Sequence, residues 1–125
     1  MFSDNVRRLI AFAWTAGLFA STLAPGEYVP AVPLLSFDKV VHVALFFGFA
    51  MLWLALYPAR RLAIVLAGLG LAVAIEVLQH TLPIHRSGDA ADVLADAVGL
   101  ALALGTHGWL HRTRSAAVAD ATGPG

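Results

Sequence analysis

Between Glu76 and Gly99 the chain carries half of its acidic residues: Glu76, Asp89, Asp92 and Asp96 out of eight. Asp89, Asp92, Asp96 and Gly99 are separated by three, four and three residues, which at about 100° per residue keeps all four on one helix face. Glu76 and Gln79, three apart, share a face in the same way. Upstream, Asp38-Lys39-Val-Val-His42 sets His42 one turn beyond Asp38, about 6 Å along a helix axis. Arg86 lies between the two acidic groups and can hold a carboxylate or phosphate through two parallel hydrogen bonds. These residue types suit three kinds of chemistry. Glu76, His42 or Asp92 could act in general acid–base catalysis, and the whole set could bind a polar ligand. His42, Glu76, Asp92 and Asp89 also form a mixed nitrogen and oxygen set for a divalent cation.

Other chemistries lack their residues. Cysteine is absent, so disulfides, thiolate metal sites and cysteine nucleophiles are excluded. No HExxH, calcium-loop or phosphate-loop spacing is present, and neither a metal nor another cofactor is required by any motif. Ser87 lies near His85 and Asp89, but a serine in a turn is ordinary and makes no triad. Lys and Arg balance Asp and Glu at eight each, which gives no electrostatic case for a nucleic-acid partner.

The elements that position these residues must be lipid-embedded helices. Apolar residues make up 59% of the chain and charged residues 13%, with a mean hydropathy of +0.78. A 125-residue soluble domain could not bury so much apolar surface. Segments Val6–Ala24, Val40–Tyr57, Leu62–Leu78 and Ala90–Leu110 each approach the ~20 residues needed to cross a ~30 Å hydrocarbon layer. Backbone groups in lipid must be paired within their own segment, so the expected fold is all-α, an integral membrane bundle of four transmembrane helices. Met1 to Ala24 also has the outline of a secretory leader, but Pro25 disfavours cleavage there. Arg7, Arg8, Arg60, Arg61, Arg112 and Arg114 fall at one end of the bundle, and Lys39 and Arg86 at the other. The positive-inside rule then makes both termini cytoplasmic. Trp53, Tyr57 and Trp109 fall near that inner interface. Residues 1–114 form the membrane domain, and 115–125 are expected to be a flexible tail.

This topology brings Asp38, Lys39 and His42 of the second segment, Glu76 and Gln79 of the third, and Asp89, Asp92 and Asp96 of the fourth to one level. That level is the outer leaflet. Ionisable groups in a membrane face the bundle interior and pair with one another. Simpler roles compete: Asp38 and Asp89 stand where helix caps stand, and Glu76–Arg86–Asp92 could be a structural polar knot that includes Gln79. His80 and His85 are expected in the solvated outer loop, and His107 and His111 at the inner interface.

Asp38-Lys39-xx-His42, then Glu76-xx-Gln79, then Arg86-xx-Asp89-xx-Asp92 with Gly99 beyond, resembles the VanZ-like family of small bacterial membrane proteins. The similarity runs from Phe37 to Gly105. One position departs: Asp96 stands where that pattern usually has asparagine. The resemblance implies a multi-pass protein of the bacterial inner membrane and cell envelope, whose founding member is linked to glycopeptide (teicoplanin) resistance. It implies no established reaction.

Two functions are therefore expected. In the first, Asp38, Lys39, His42, Glu76, Gln79, Arg86, Asp89, Asp92 and Asp96 line a ligand site at the outer leaflet for a lipid-linked envelope precursor or a lipoglycopeptide. Arg86 and Lys39 would take its anionic group, with membrane lipids as the surrounding partners. In the second, an enzyme acts on a lipid-linked substrate there, with Glu76 or His42 as base and Asp92 positioning it or a divalent metal.

Overall fold

A computed structural model of the chain describes residues 2–26, 35–86 and 88–123. Ser87 and most of the expected proline-rich outer loop lie outside the described residues. Four α-helices account for nearly all of the rest. α1 is Asp4–Thr22, α2 is Leu35–Leu56, α3 is Arg61–Thr81 and α4 is Ala90–Ala121.

Local chemistry sets the helix ends. The Ser3 hydroxyl accepts the Val6 N–H at the start of α1 (3.4 Å), satisfying one of the donors a helix N-terminus leaves free. Pro58 ends the run of α2 and opens a single 3-10 turn, Pro58–Arg60, that reverses the chain into α3. Leu82, before Pro83, is extended, as the proline ring demands of the preceding residue, and α3 stops at Thr81. Asp89 caps α4 through the Ala91 N–H at 2.9 Å.

α2 within Phe37–Leu56, α3 within Pro58–Thr81, and α4 are each long and apolar enough to cross a membrane. α1 is a fourth helix packed along α2. Their outward faces are oily. Leu62, Leu66, Val73 and Val77 form an exposed stripe on α3, and Leu94, Val98, Leu102 and Trp109 form another on α4. Helical spacing of apolar residues toward the outside, as well as toward the core, is the pattern of a helix solvated by lipid.

Successive helices run antiparallel, so α2 and α4 are parallel neighbours. Between them sits the core: Phe46, Phe49, Ala50 and Leu54 of α2 pack with Leu100 and Ala103 of α4 and with Ile64, Ala72 and Ile75 of α3. The backbones of α2 and α4 approach tightly at Gly99. A Cβ there would collide with the Val43 carbonyl and lie 3.0 Å from the Phe47 nitrogen and 3.2 Å from the Phe46 Cβ. Small residues serve membrane helices in this way, because dispersion between backbones replaces the hydrophobic drive that lipid removes. Ala95 and Ala103, four residues to either side, are buried with it.

Side chains bind α1 to α2. The Trp14 indole donates to the Leu45 carbonyl (2.9 Å), the Trp53 indole to the Thr15 hydroxyl (3.1 Å), and Arg7 to the Ala55 carbonyl (2.7 Å). Trp53 also meets Phe12 edge-on and stacks on Tyr57. It therefore joins α1 to α2. The C-terminal segment differs from the sequence-based expectation. Beyond Leu110 the helix continues to Ala121, through the segment expected to be a flexible tail from Ser115. Ala116, Ala117, Ala119 and Ala121 favour helix on propensity alone, and these residues are exposed.

Candidate functional site

The centre of the site lies between the first turns of α2 and α4. Parallel packing aligns Lys39 with Asp92, His42 with Asp96, and Val43 with Gly99. Asp92, Asp96 and Gly99 occupy one buried face of α4, at the three- and four-residue spacing read from the sequence. His42 is 2% exposed and Asp96 1%. Their contact, His42 Nδ1 to Asp96 Oδ1, is 2.9 Å, while His42 Nε2 points toward Asp92 Oδ2 at 3.7 Å. Above this pair the Lys39 ammonium donates to Asp92 and, at 3.1 Å, to Asp89, with Asp38 at 4.0 Å. Asp38 and Asp89 are half exposed at the rim, whereas Asp92 is buried.

The electrostatics follow from this layering. A buried carboxylate is tolerated only with partners, and each inner aspartate has a cation or imidazole against it. Four aspartates surround one lysine and one histidine, so the centre is acidic. At the rim, the Asp89 carboxyl is held below its ordinary value, first by the Ala91 N–H it caps and then by the Lys39 ammonium.

Asp96 is the residue at which the chain departs from the resembled pattern, and it sits deepest of the set, as the direct partner of His42. The expected neighbour of His42, Asp38 one turn above, contributes at longer range: Asp38, His42 and Asp92 each offer an atom within 4.8 Å of the other two. That trio could hold a divalent cation. It differs from the expected set of His42, Glu76, Asp92 and Asp89 by taking in Asp38 and leaving out Glu76 and Asp89, and Lys39 already donates to Asp92.

Glu76, Gln79 and Arg86 stand apart from this centre. Glu76 pairs with His80 Nδ1 at 3.7 Å on its own helix, beneath the loop at Gly88. A Cβ on Gly88 would lie 2.6 Å from the Glu76 Oε1 atom. Gln79 is buried and donates to the Thr22 carbonyl of α1 at 2.8 Å, and its Oε1 has no partner among the described residues. Arg86 reaches the Ser21 carbonyl at 3.4 Å. The expected Glu76–Arg86–Asp92 knot is therefore not formed among the described residues. The reason is the fourth partner: α1 ends beside α3, and its last carbonyls, left free by the end of the helix, take the amide and the guanidinium. Such a role for Thr22 and Ser21 has no sequence signal, because any residue type supplies a carbonyl. His85 is exposed in the loop as expected, His80 is exposed but belongs to the last turn of α3 rather than the loop, and His107, expected at the interface, is 6% exposed.

The family model VanZ/LLP1 matches residues 2–111. The chain belongs to the VanZ/LLP1 family. No curated protein and no solved structure shows a significant match to it. The match starts within the turn before α1 and ends inside α4, so it takes in all four helices and every residue of the acidic centre. Family membership and three membrane-length apolar helices together make this a multi-pass membrane protein.

Proposed function

We propose that this VanZ/LLP1 protein crosses the bacterial inner membrane four times, with both termini in the cytoplasm, and binds a polar ligand at its acidic outer end. A lipid-linked envelope precursor or a lipoglycopeptide of the teicoplanin type is the ligand class, and the role is of the glycopeptide-resistance kind. The observation that carries this reading is the layered cluster between α2 and α4. Two half-exposed carboxylates, Asp38 and Asp89, stand over a part-buried Lys39–Asp92 pair and a buried His42–Asp96 pair. Carboxylates accept hydrogen bonds, so this rim suits sugar hydroxyls, amides and ammonium groups. An anionic group would have to draw Lys39 away from three aspartates, and Arg86 is turned toward α1. The ligand is therefore recognised through its donors. This replaces the expectation that Lys39 and Arg86 grip an anion.

The test is binding by purified full-length protein in nanodiscs, using teicoplanin and a panel of undecaprenyl-linked sugars. Wild type should bind at least one, and Asp38→Asn with Asp89→Asn should weaken it about tenfold, the loss of roughly 1.4 kcal/mol of charge-assisted hydrogen bonding. Equal affinity of wild type and the double variant for every compound would refute the rim as the binding surface.

A second reading rests on His42. With Nδ1 held by Asp96, the imidazole is oriented and its Nε2 faces Asp92 at 3.7 Å, so a base here would act from within the cluster. Asp38 and Asp92 could then hold a divalent metal or position the imidazole. Glu76, the other candidate base, lies outside this cluster. Chemical change of a lipid-linked precursor in the presence of Mg²⁺, Mn²⁺ or Zn²⁺, lost in His42→Gln, would favour this enzyme. Binding without turnover would favour the first reading.

A further inference from the structure

The opposite end of the bundle holds a second, chemically different site. α4 spans 32 residues, about 48 Å at 1.5 Å per residue, well beyond the ~30 Å hydrocarbon layer. Counting from Asp92, Arg112 lies about 30 Å along the helix axis. If the acidic centre is at one headgroup level, Arg112 is at the other. At that depth a cavity of about 320 Å³ opens between the start of α3 and α4, lined by Arg61, Gly108, His111, Arg112 and Ser115.

The lining contains two guanidiniums, an imidazole and a hydroxyl, and no carboxylate. Arg61 is held in place by its Nε, which donates to the Pro58 carbonyl at 3.3 Å, so its terminal nitrogens are left for another acceptor. Gly108 keeps the floor open: a Cβ there would meet only the Arg112 guanidinium, at 3.9 Å. Behind the pocket, the buried His107 ring packs at 4.4 Å from His111, and His107 Nδ1 has no hydrogen-bond partner among the described residues. Trp109 projects outward beside the pocket, 62% exposed, where an indole would sit at a membrane interface. The basic and polar donors therefore converge where acyl chains on the α3 and α4 faces would end in headgroups.

We propose that this pocket binds the phosphate of an anionic phospholipid, with Arg61 and Arg112 gripping the phosphate oxygens and His111 and Ser115 completing the donor set. Basic pockets between membrane helices take lipid headgroups because the phosphate gains charge-assisted hydrogen bonds while its acyl chains stay in the lipid they already occupy. The bound lipid spans the α3–α4 seam at the end away from the acidic centre, and ties the long helix to its neighbour. This inference stands independently of what the acidic end binds.

The experiment is native mass spectrometry of the full chain released from nanodiscs that contain phosphatidylcholine with increasing phosphatidylglycerol. Wild type should retain one phosphatidylglycerol and little phosphatidylcholine. Arg61→Gln with Arg112→Gln should lower that retention about tenfold or more, since each juxtamembrane guanidinium near an anionic surface contributes on the order of a fivefold factor. Arg61→Lys with Arg112→Lys should keep part of it, and Arg114→Gln, a charge on the same helix that does not line the pocket, should keep all of it. Displacement of the lipid by millimolar inorganic phosphate would identify free phosphate as the ligand and overturn the lipid assignment. Equal retention of both lipids, or equal losses in the Arg114 and pocket variants, would overturn the pocket itself. Circular dichroism of the glutamine pair in the same nanodiscs separates the two causes of loss: a wild-type spectrum with lost lipid supports the pocket, and a wild-type spectrum with wild-type retention overturns it.

Discussion

The His42–Asp96 contact is the most exacting test of how the acidic centre is built. Both side chains are almost fully buried, and they meet at 2.9 Å between α2 and α4. Removing one member of a buried pair leaves the other without its partner, which costs about 3–5 kcal/mol. Asp96→Ala should approach that range. Asp96→Asn keeps an oxygen to accept the Nδ1 proton, so its cost should be nearer about 1 kcal/mol. Alanine also removes volume, so the single variant overstates the contact. A double-mutant cycle with His42→Ala subtracts that contribution and should return a coupling of about 2 kcal/mol, in the range seen for residues in direct contact. The assay is reversible unfolding in mixed micelles with increasing SDS, followed by circular dichroism. Additivity within about 0.5 kcal/mol, or a rank order in which asparagine costs as much as alanine, would refute the contact as a source of stability.

Other consequences are as direct. Gly99→Ala should cost about 1–3 kcal/mol by the same unfolding measurement, because its Cβ must push the α2 backbone away, whereas Gly70→Ala, with open space around it, should be neutral or gain up to about 1 kcal/mol. Gln79→Leu loses the donation to Thr22 but also removes a buried carbonyl without a partner, so its net change should stay within about 1 kcal/mol; a loss above about 3 kcal/mol would mean that Oε1 has a partner. The depressed Asp89 carboxyl contributes stability that is present above the unfolded value near pH 4 and lost as pH falls through its lower folded value. Replacing it by Asn should therefore flatten the acid limb of the unfolding midpoint between about pH 5 and pH 3 and leave the slope above about pH 6 unchanged.

Much of the centre was legible because helices convert spacing into direction. Asp92, Asp96 and Gly99 share a face in any helix, and apolar surroundings force that face inward. The same logic placed Lys39 and His42 at the level of the aspartates, since the lengths of three apolar segments fix how far the chain travels between them. What spacing could not supply was partner choice. Glu76, Gln79 and Arg86 arrive at the right level, yet their contacts are with His80, the Thr22 carbonyl and the Ser21 carbonyl. Asp38 was the nearest sequence neighbour of His42, and the tightest partner proved to be Asp96, fifty-four positions away.

Composition points this chain to lipid, and the order of its residues adds that its apolar runs are helices with the ionisable residues collected at the two ends. Those conclusions follow from solvation, which acts on each residue by its type and depth. The rotation of each helix about its axis was decided only in the folded bundle. There the backbone contact at Gly99 locks α4 against α2, and the last carbonyls of α1 take the Gln79 amide and the Arg86 guanidinium. A shift of one residue in that register would turn Asp96 away from His42, and short-range contacts of this kind depend on all four helices at once.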